Sequence, residues 1–202
     1  LQRNAINEGR NEIMAYTIMR FKKDKGGAVA SCERHNERKK EAYKSNPDID
    51  ITKTKYNYHI VQAPQYTYSR KIKELIKKYG CKTRKDSIKL VETLITASPE
   101  FINKLSEKEK REYFERATKF MKSEIGEDRI ISAVVHMDEK TPHMHLAFCP
   151  INQDGKLSAK ERLVLNIIDY MTEYKNEFKS SHFWYKNNKI QLLWYLWEAN
   201  KD

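Results

Sequence analysis

The 202-residue chain is 39% hydrophobic with a mean hydropathy of −0.85, which indicates a polar, soluble protein that can still bury one domain core. It has no apolar run of transmembrane length and no secretory signal, so we expect a cytoplasmic protein without membrane insertion. The formal net charge of +11 favours a polyanionic partner, most simply nucleic acid, although solubility alone also explains a basic surface.

Hydrophobic periodicity predicts alternating strands and helices along the first half of the chain. Residues 1–13 show no pattern, and we interpret them as an extension upstream of the natural start. Alternation predicts strands, helical spacing predicts helices, and Gly80 is a stop signal for the second helix. The predicted strands are residues 14–21, 55–61 and 87–96, and the predicted helices are residues 28–45 and 66–79.

The second half begins with two predicted helices. A short one follows Ser98, and a capping box formed by Ser106 and Glu109 opens a long amphipathic one. Residues 130–137 and 143–149 are strand-like, with a polar, proline-containing turn between them, which predicts a hairpin. Another helix is predicted from Ser158 onwards. We therefore expect an α+β fold: a mainly antiparallel sheet with helices packed on one face and the functional site on the open face.

The hairpin carries three of the six histidines. Side chains alternate faces along a strand, so His143 and His145 share one face, and antiparallel pairing would add His136 to it. Three neutral imidazoles can hold a divalent ion and leave positions open for water or substrate. Glu139 in the turn could bind the metal, a metal-bound water or a proton. Alternatively, these residues are polar side chains on a solvated face.

A run of basic residues follows the helix at 66–79. Such a run is usually a solvated helix face, but interleaved tyrosines make it a candidate groove for phosphates and stacked bases. The candidate DNA-binding residues are Arg70, Lys71, Lys78, Lys82, Arg84 and Lys85.

Two segments resemble a known family. HMDEKTPHMH, residues 136–145, resembles the HxDExTPHxH signature of MobV-type relaxases, the Pre/Mob plasmid recombination and mobilisation proteins of the HUH endonuclease superfamily. RHNER, residues 34–38, resembles their N-terminal HNER segment, and GKLSAK, residues 155–160, is a weaker third match. The resemblance implies a relaxase catalytic domain over residues 14–180. It leaves 181–202 as an atypical, tryptophan-rich C-terminal segment, with the family's C-terminal half missing.

The resemblance implies metal-dependent, site- and strand-specific DNA nicking and rejoining at a plasmid transfer origin, through a covalent 5′-phosphoryl–protein intermediate. The cofactor would be Mn²⁺ or Mg²⁺. The partners would be single-stranded or supercoiled plasmid DNA and the conjugation coupling machinery, while the oligomeric state is left open.

The resemblance also assigns roles to individual residues. It places the nucleophile at His35, with Tyr43, Tyr16 and Tyr58 as the tyrosine alternatives. His136, His143 and His145 would bind the metal, Glu139 would orient or deprotonate His35 or complete the metal shell, Arg38 would grip the DNA phosphate, and Asp138 would orient His136.

Three other functions stay open at this point. The first is a rolling-circle replication initiator of the same superfamily, and the second is a metal hydrolase acting on a small molecule. The third is a DNA-binding remnant that has lost catalysis.

Overall fold

The computed structural model describes residues 16–40, 46–152, 154–159, 181–186 and 189–195, with the backbone alone for Tyr16 and the last two ranges. Seven antiparallel strands form one sheet in the order β2-β4-β5-β3-β1-β7-β6. The strands are β1 Tyr16–Lys25, β2 Tyr58–Val61, β3 Ile88–Ala97, β4 Ile130–His136, β5 His143–Phe148, β6 Ser181–Lys186 and β7 Lys189–Tyr195. The helices are α1 Val29–Asn36, α2 Tyr68–Lys78, α3 Pro99–Ile102 and α4 Glu107–Ile125, with 3₁₀ turns at Ile51–Tyr56 and Glu127–Arg129.

Both faces of the sheet are covered by helices. On one face, Phe114 and Met121 of α4 pack with Met144 and Phe148 of β5. On the other, α1 and α2 pack against the sheet in a second cluster that includes Ala147. The predicted α+β class and antiparallel sheet are confirmed. The expectation of helices on one face needs correction, because β3 buries apolar side chains on both faces, Val91 in the first cluster and Leu90 in the second, and each set needs a cover.

Several predicted elements are confirmed with shifted boundaries. The hairpin and the capping box of Ser106 are present as predicted. The helix predicted for residues 28–45 ends at Asn36, since Arg38 adopts a positive φ of 50°. The strand predicted for residues 55–61 begins at Tyr58, because the side chain of Asp50 caps a 3₁₀ turn before it.

The tryptophan-rich C-terminal segment, for which the sequence indicated no element, contributes two strands. β7 pairs with β1 and β6 pairs with β7, so this hairpin extends the sheet beyond β1. The helix predicted from Ser158 lies largely outside the described residues, as does Tyr43. No helix within the described part of the chain is both long and apolar enough to cross a bilayer.

Candidate active site

The histidine cluster is built by the pairing of β4 with β5. The register places His136 opposite His143 and Val134 opposite His145, so the three imidazoles project from one face of the sheet. The ring centroids lie 5.3 Å apart for His136 and His143, 4.8 Å for His136 and His145, and 5.0 Å for His143 and His145. The structure therefore brings together the three histidines that the sequence groups as metal ligands.

Hydrogen bonds to backbone carbonyl groups fix the tautomers of two of these rings. His136 donates from Nε2 to the carbonyl oxygen of Asn36 over 2.8 Å, and His143 donates from Nδ1 to that of Thr141 over 2.8 Å. A carbonyl oxygen can only accept, so these nitrogens carry the protons. His136 Nδ1 and His143 Nε2 are left with lone pairs.

The third ring is oriented by a carboxylate. His145 donates from Nδ1 to Oε1 of Glu92 over 3.0 Å. Its Nε2 and the Nδ1 of His136 are buried and have no hydrogen-bond partner within the described part of the structure. Buried ring nitrogens left unpaired are costly, whereas oriented imidazole lone pairs are what a divalent cation binds. The residues present therefore fit a metal ion.

Helix α1 adds a fourth imidazole. The His35 ring centroid lies 5.0 Å from that of His145 and 5.8 Å from that of His136. Candidate ligand atoms of these three residues all lie within 4.8 Å of one another. Val29 and Cys32 of α1 are buried in the second cluster, between the helices and the sheet, and this packing directs His35 onto the sheet. Helix α1 therefore places His35 beside the imidazole groups of His136 and His145.

Glu37 ties the segment after α1 to three other elements. Its carboxylate accepts hydrogen bonds from the hydroxyl groups of Tyr68 on α2 and Ser132 on β4, the latter over 2.9 Å. It also lies 2.8 Å from Nε2 of His59 on β2. Burial opposes ionisation, yet the hydrogen bonds from His59 and Tyr68 keep the pKa of Glu37 below its usual value. The position of His35 is therefore set by contacts on both sides of it.

Arg38 and Asp138 form a buried two-point ion pair. Arg38 Nε donates to Asp138 Oδ2 over 2.9 Å and Nη2 to Oδ1 over 2.7 Å, while Thr54 and Asn57 also donate to Oδ2. The Arg38 side chain is only 7% exposed. Because the guanidinium group of Arg38 already donates to carboxylates of the protein, the structure does not favour the predicted contact of Arg38 with a DNA phosphate. It also directs Asp138 to Arg38 rather than to His136, whose proton goes to Asn36.

Glu139 faces the metal-ligand candidates. Its Oε1 lies 3.6 Å from His143 Nε2 and 3.9 Å from His136 Nδ1, and candidate ligand atoms of the three lie within 4.8 Å of one another. Arg38 and Asn46 each donate a hydrogen bond to its carboxylate. Of the roles left open for Glu139, this geometry favours completing the metal shell.

Burial dominates the electrostatics of the cluster. It lowers the pKa of His136 and His143, with His145 adding to the effect, and it lowers the pKa of His35 to about 4. Burial opposes ionisation of Glu92, but the hydrogen bond and charge of His145 lower its pKa to about 2. At neutral pH, His35, His136 and His143 are thus neutral, as ligands and nitrogen nucleophiles must be.

Comparison with protein families identifies this arrangement. The family model Mob_Pre, described as plasmid recombination enzyme, matches residues 14–188. The chain belongs to the Mob_Pre family. It is 40% identical over 152 residues to plasmid recombination enzyme type 3 of Staphylococcus aureus, and 36% identical over 173 residues to type 1 from the same organism. These matches cover 73% and 81% of this chain but 37% and 43% of the relatives, so the chain spans less than half of their length.

A Mob_Pre relaxase domain of known structure has a similar fold. The MobM relaxase domain, solved with Mn and plasmid pMV158 oriT DNA at pH 6.8, superposes with a TM-score of 0.70 at 32% identity. The superposition covers 79% of this chain and 86% of that one. A second structure of MobM with Mn and oriT DNA, at pH 5.5, gives a TM-score of 0.69 at 29% identity. The α+β relaxase fold is thereby confirmed for this Mob_Pre chain.

The basic residues predicted to bind DNA lie on α2 and in the loop after it. Arg70 pairs with Glu74, and Lys78 pairs with Asp128, which precedes β4 at the opposite end from His136. The predicted groove of this Mob_Pre chain therefore reaches away from the histidines. DNA binding by these side chains stays a prediction.

The sequence interpretation missed several residues of the site. Glu92 is the clearest, because a lone carboxylate within an otherwise apolar predicted strand is a signal of a buried partner. Asn36 acts through its carbonyl group, which no sequence pattern can reveal. Asn46, Thr54 and Asn57 lie in loops whose contacts with Asp138 and Glu139 depend on the tertiary fold.

Proposed function

We propose that this chain is the catalytic domain of a relaxase that cuts and rejoins one DNA strand at a plasmid transfer origin, using a divalent metal and a histidine nucleophile. The observation that carries the proposal is the position of His35, whose ring lies within 6 Å of two imidazoles that present oriented lone pairs. The family match and the Mn- and oriT-bound structures of MobM support the same chemistry.

His136, His143 and His145 would hold the metal, with Glu139 as a fourth protein ligand. The imidazole donors favour Mn²⁺ over Mg²⁺, which prefers oxygen ligands. When bound, the cation would supply positive charge to a non-bridging oxygen of the scissile phosphate. Asn36, Thr141 and Glu92 would keep the three rings in the orientation that binding requires.

His35 would attack the scissile phosphorus through a ring nitrogen. The new nitrogen–phosphorus bond would form as the bond from phosphorus to the 3′ oxygen breaks, and the leaving oxygen would take up a proton as a 3′-hydroxyl group. The 5′ phosphate would stay on the protein, so a later attack by a 3′-hydroxyl group could rejoin the strand. Burial around His35 keeps it neutral, as this step needs.

The described tyrosine alternative is less suitable. Tyr58 packs with the core on the opposite face of the sheet, and its hydroxyl group is buried. Tyr43 lies outside the described residues, and only the backbone of Tyr16 is described. The DNA-binding remnant is not favoured either, because His35, Glu139 and the three histidines are assembled in one site.

The test is an adduct assay with Mn²⁺ and end-labelled oligonucleotides that span candidate transfer origins. We expect a metal-dependent covalent adduct on His35, located by mass spectrometry. His35→Ala should lose the adduct but keep Mn²⁺ binding, whereas His143→Ala should lose both. His182→Gln, which changes a histidine on β6 at the far edge of the sheet, should keep both. An adduct of normal yield in His35→Ala would overturn the assignment of the nucleophile.

Loss of Mn²⁺ binding in His35→Ala would indicate a different role for this residue. It would make His35 a metal ligand, which its 4.8 Å grouping with His136 and His145 permits. A tyrosine would then be the expected site of the adduct. Contact with the conjugation coupling machinery stays a prediction, and the oligomeric state stays open.

A further inference from the structure

Two large apolar side chains are exposed beside the candidate active site. Ile51 is 62% exposed and Tyr56 is 60% exposed, and they stand at the two ends of the 3₁₀ turn after Asp50. Within the described part of the chain, no other large hydrophobic side chain is exposed. Packing within the described part of the chain leaves both side chains uncovered. A binding partner that covers them would explain their exposure.

The turn that carries them is fixed to the site. The Asp50 backbone N–H donates to the carbonyl oxygen of Asp138 over 2.7 Å, and the side chains of Thr54 and Asn57 donate to its carboxylate over 2.9 and 2.8 Å. Asn57 also accepts from the backbone N–H of Met137 over 2.7 Å. These bonds fix the turn on both sides of Tyr56, so less of the chain has to be ordered on binding.

The sheet register places this surface at the end of the sheet where the histidines lie. Tyr58 pairs with Val135 on β4, so Tyr56 falls level with the turn that follows His136. Neighbouring strands are about 5 Å apart, which puts the backbone of Tyr56 roughly 10 Å from that of His143. A strand bound at the histidine cluster would need to extend only a few nucleotides to reach this turn.

The charge beside the aromatic ring suits a nucleotide. The Lys55 ammonium group lies 5.1 Å from the centroid of the Tyr56 ring, and the Lys55 side chain is exposed. Lys53, whose ammonium group pairs with Asp50, stands in the same turn. The ammonium group lies over one face of the ring, which leaves the other face for a base and supplies a cation for the adjoining phosphate.

We propose that Tyr56 forms a platform on which an unpaired base next to the scissile phosphate stacks, while Lys55 contacts the adjoining phosphate. This inference rests on the proposed function, since it assumes that single-stranded DNA occupies the histidine site. It assigns the placing of the DNA strand to a turn outside the two sequence signatures.

Binding of a fluorescein-labelled oligothymidylate, followed by anisotropy, tests the platform. Tyr56→Ala should weaken binding by about 5- to 150-fold, the range for losing one base–aromatic stack. Tyr56→Phe keeps the ring and should bind within about twofold of the original chain. Lys55→Ala should reduce the slope of log affinity against log salt by about 0.7. The matched control is Phe120→Ala on α4, which removes an aromatic side chain on the opposite face of the sheet from the histidines.

The outcomes separate this inference from the proposed function. If Tyr56→Ala binds oligothymidylate as tightly as the original chain, the platform is wrong, and a protein partner becomes the better explanation of the exposed pair. An equal loss in Phe120→Ala would also overturn it, because the effect would then not depend on the position of the ring. In the adduct assay, Tyr56→Ala should recover its yield at saturating oligonucleotide, whereas His35→Ala should not. If the original chain forms no adduct, but Tyr56→Ala alone among the aromatic variants binds oligothymidylate more weakly, the nicking proposal is refuted and the platform is supported.

Discussion

Glu92 should control metal affinity although it touches no metal. Its carboxylate accepts the Nδ1 proton of His145 over 3.0 Å and lies 3.6 Å from the Lys22 ammonium group. Partners of this kind typically contribute 10- to 100-fold in metal affinity, or about 1.4 to 2.8 kcal/mol. Glu92→Gln keeps an acceptor oxygen but loses the charge, so we expect Mn²⁺ to bind about 10-fold more weakly. Glu92→Ala removes the acceptor and should approach 100-fold.

Isothermal titration with Mn²⁺ measures this effect directly. Glu112→Gln on the exposed surface of α4 is the matched control, because it removes the same charge far from the histidines. Urea unfolding of the metal-free variants separates a loss of fold from a loss of affinity. Affinity of Glu92→Ala within twofold of the original chain would refute the reasoning, since His145 would then be oriented without its carboxylate partner.

Three further predictions concern the fold and the metal. Arg38→Met leaves the Asp138 carboxylate buried without its guanidinium partner and should lower the free energy of unfolding in urea by about 3 to 5 kcal/mol; a loss below 1 kcal/mol would contradict a buried pair. Ser106→Ala removes the α4 capping box and should cost about 1 kcal/mol in the same assay, with an unchanged midpoint as the contrary result. Because burial lowers the pKa of His136 and His143, protons should compete with Mn²⁺ only below about pH 6, and a titration midpoint at pH 6.5 would argue against this.

The local sequence pattern was sufficient to predict those parts of the structure that depend on residues close together in the sequence. The alternation of β5 predicted the shared face of His143 and His145, and the same alternation puts Met144 and Phe148 in the core on the other face. The apolar spacing of residues 66–79 likewise predicted a helix, and α2 buries Ile72. In each case the residues that create the signal are the residues that pack, so the sequence contains the answer.

Long-range contacts account for what the sequence could not predict. The helical pattern runs to residue 45, but the bonds from Arg38 to Asp138 span a hundred residues and turn the chain away after Asn36. The same applies to the second layer of helices, whose face is chosen by tertiary packing. Glu92 showed a signal that could be read as a buried carboxylate, but its partner could not be named before the β3–β5 register was known.

The two sequence signatures, residues 34–38 and 136–145, contact each other and together form the site. Each residue from Asn36 to Arg38 contacts the β4–β5 hairpin or the strand before its turn: Asn36 through His136, Glu37 through Ser132, and Arg38 through Asp138 and Glu139. The carbonyl group of Asn36, directly after His35, is also the group that sets the tautomer of His136. The distance between the proposed nucleophile and the metal ligands is therefore fixed by the hydrogen bond from His136 to the Asn36 carbonyl group and by the contacts of Glu37 and Arg38 with the hairpin. A backbone motion that carried Asn36 away from the hairpin would remove the acceptor of the His136 proton and would move His35 with it, so such a motion should disturb the metal site and the nucleophile together, whereas His35→Ala removes the ring alone.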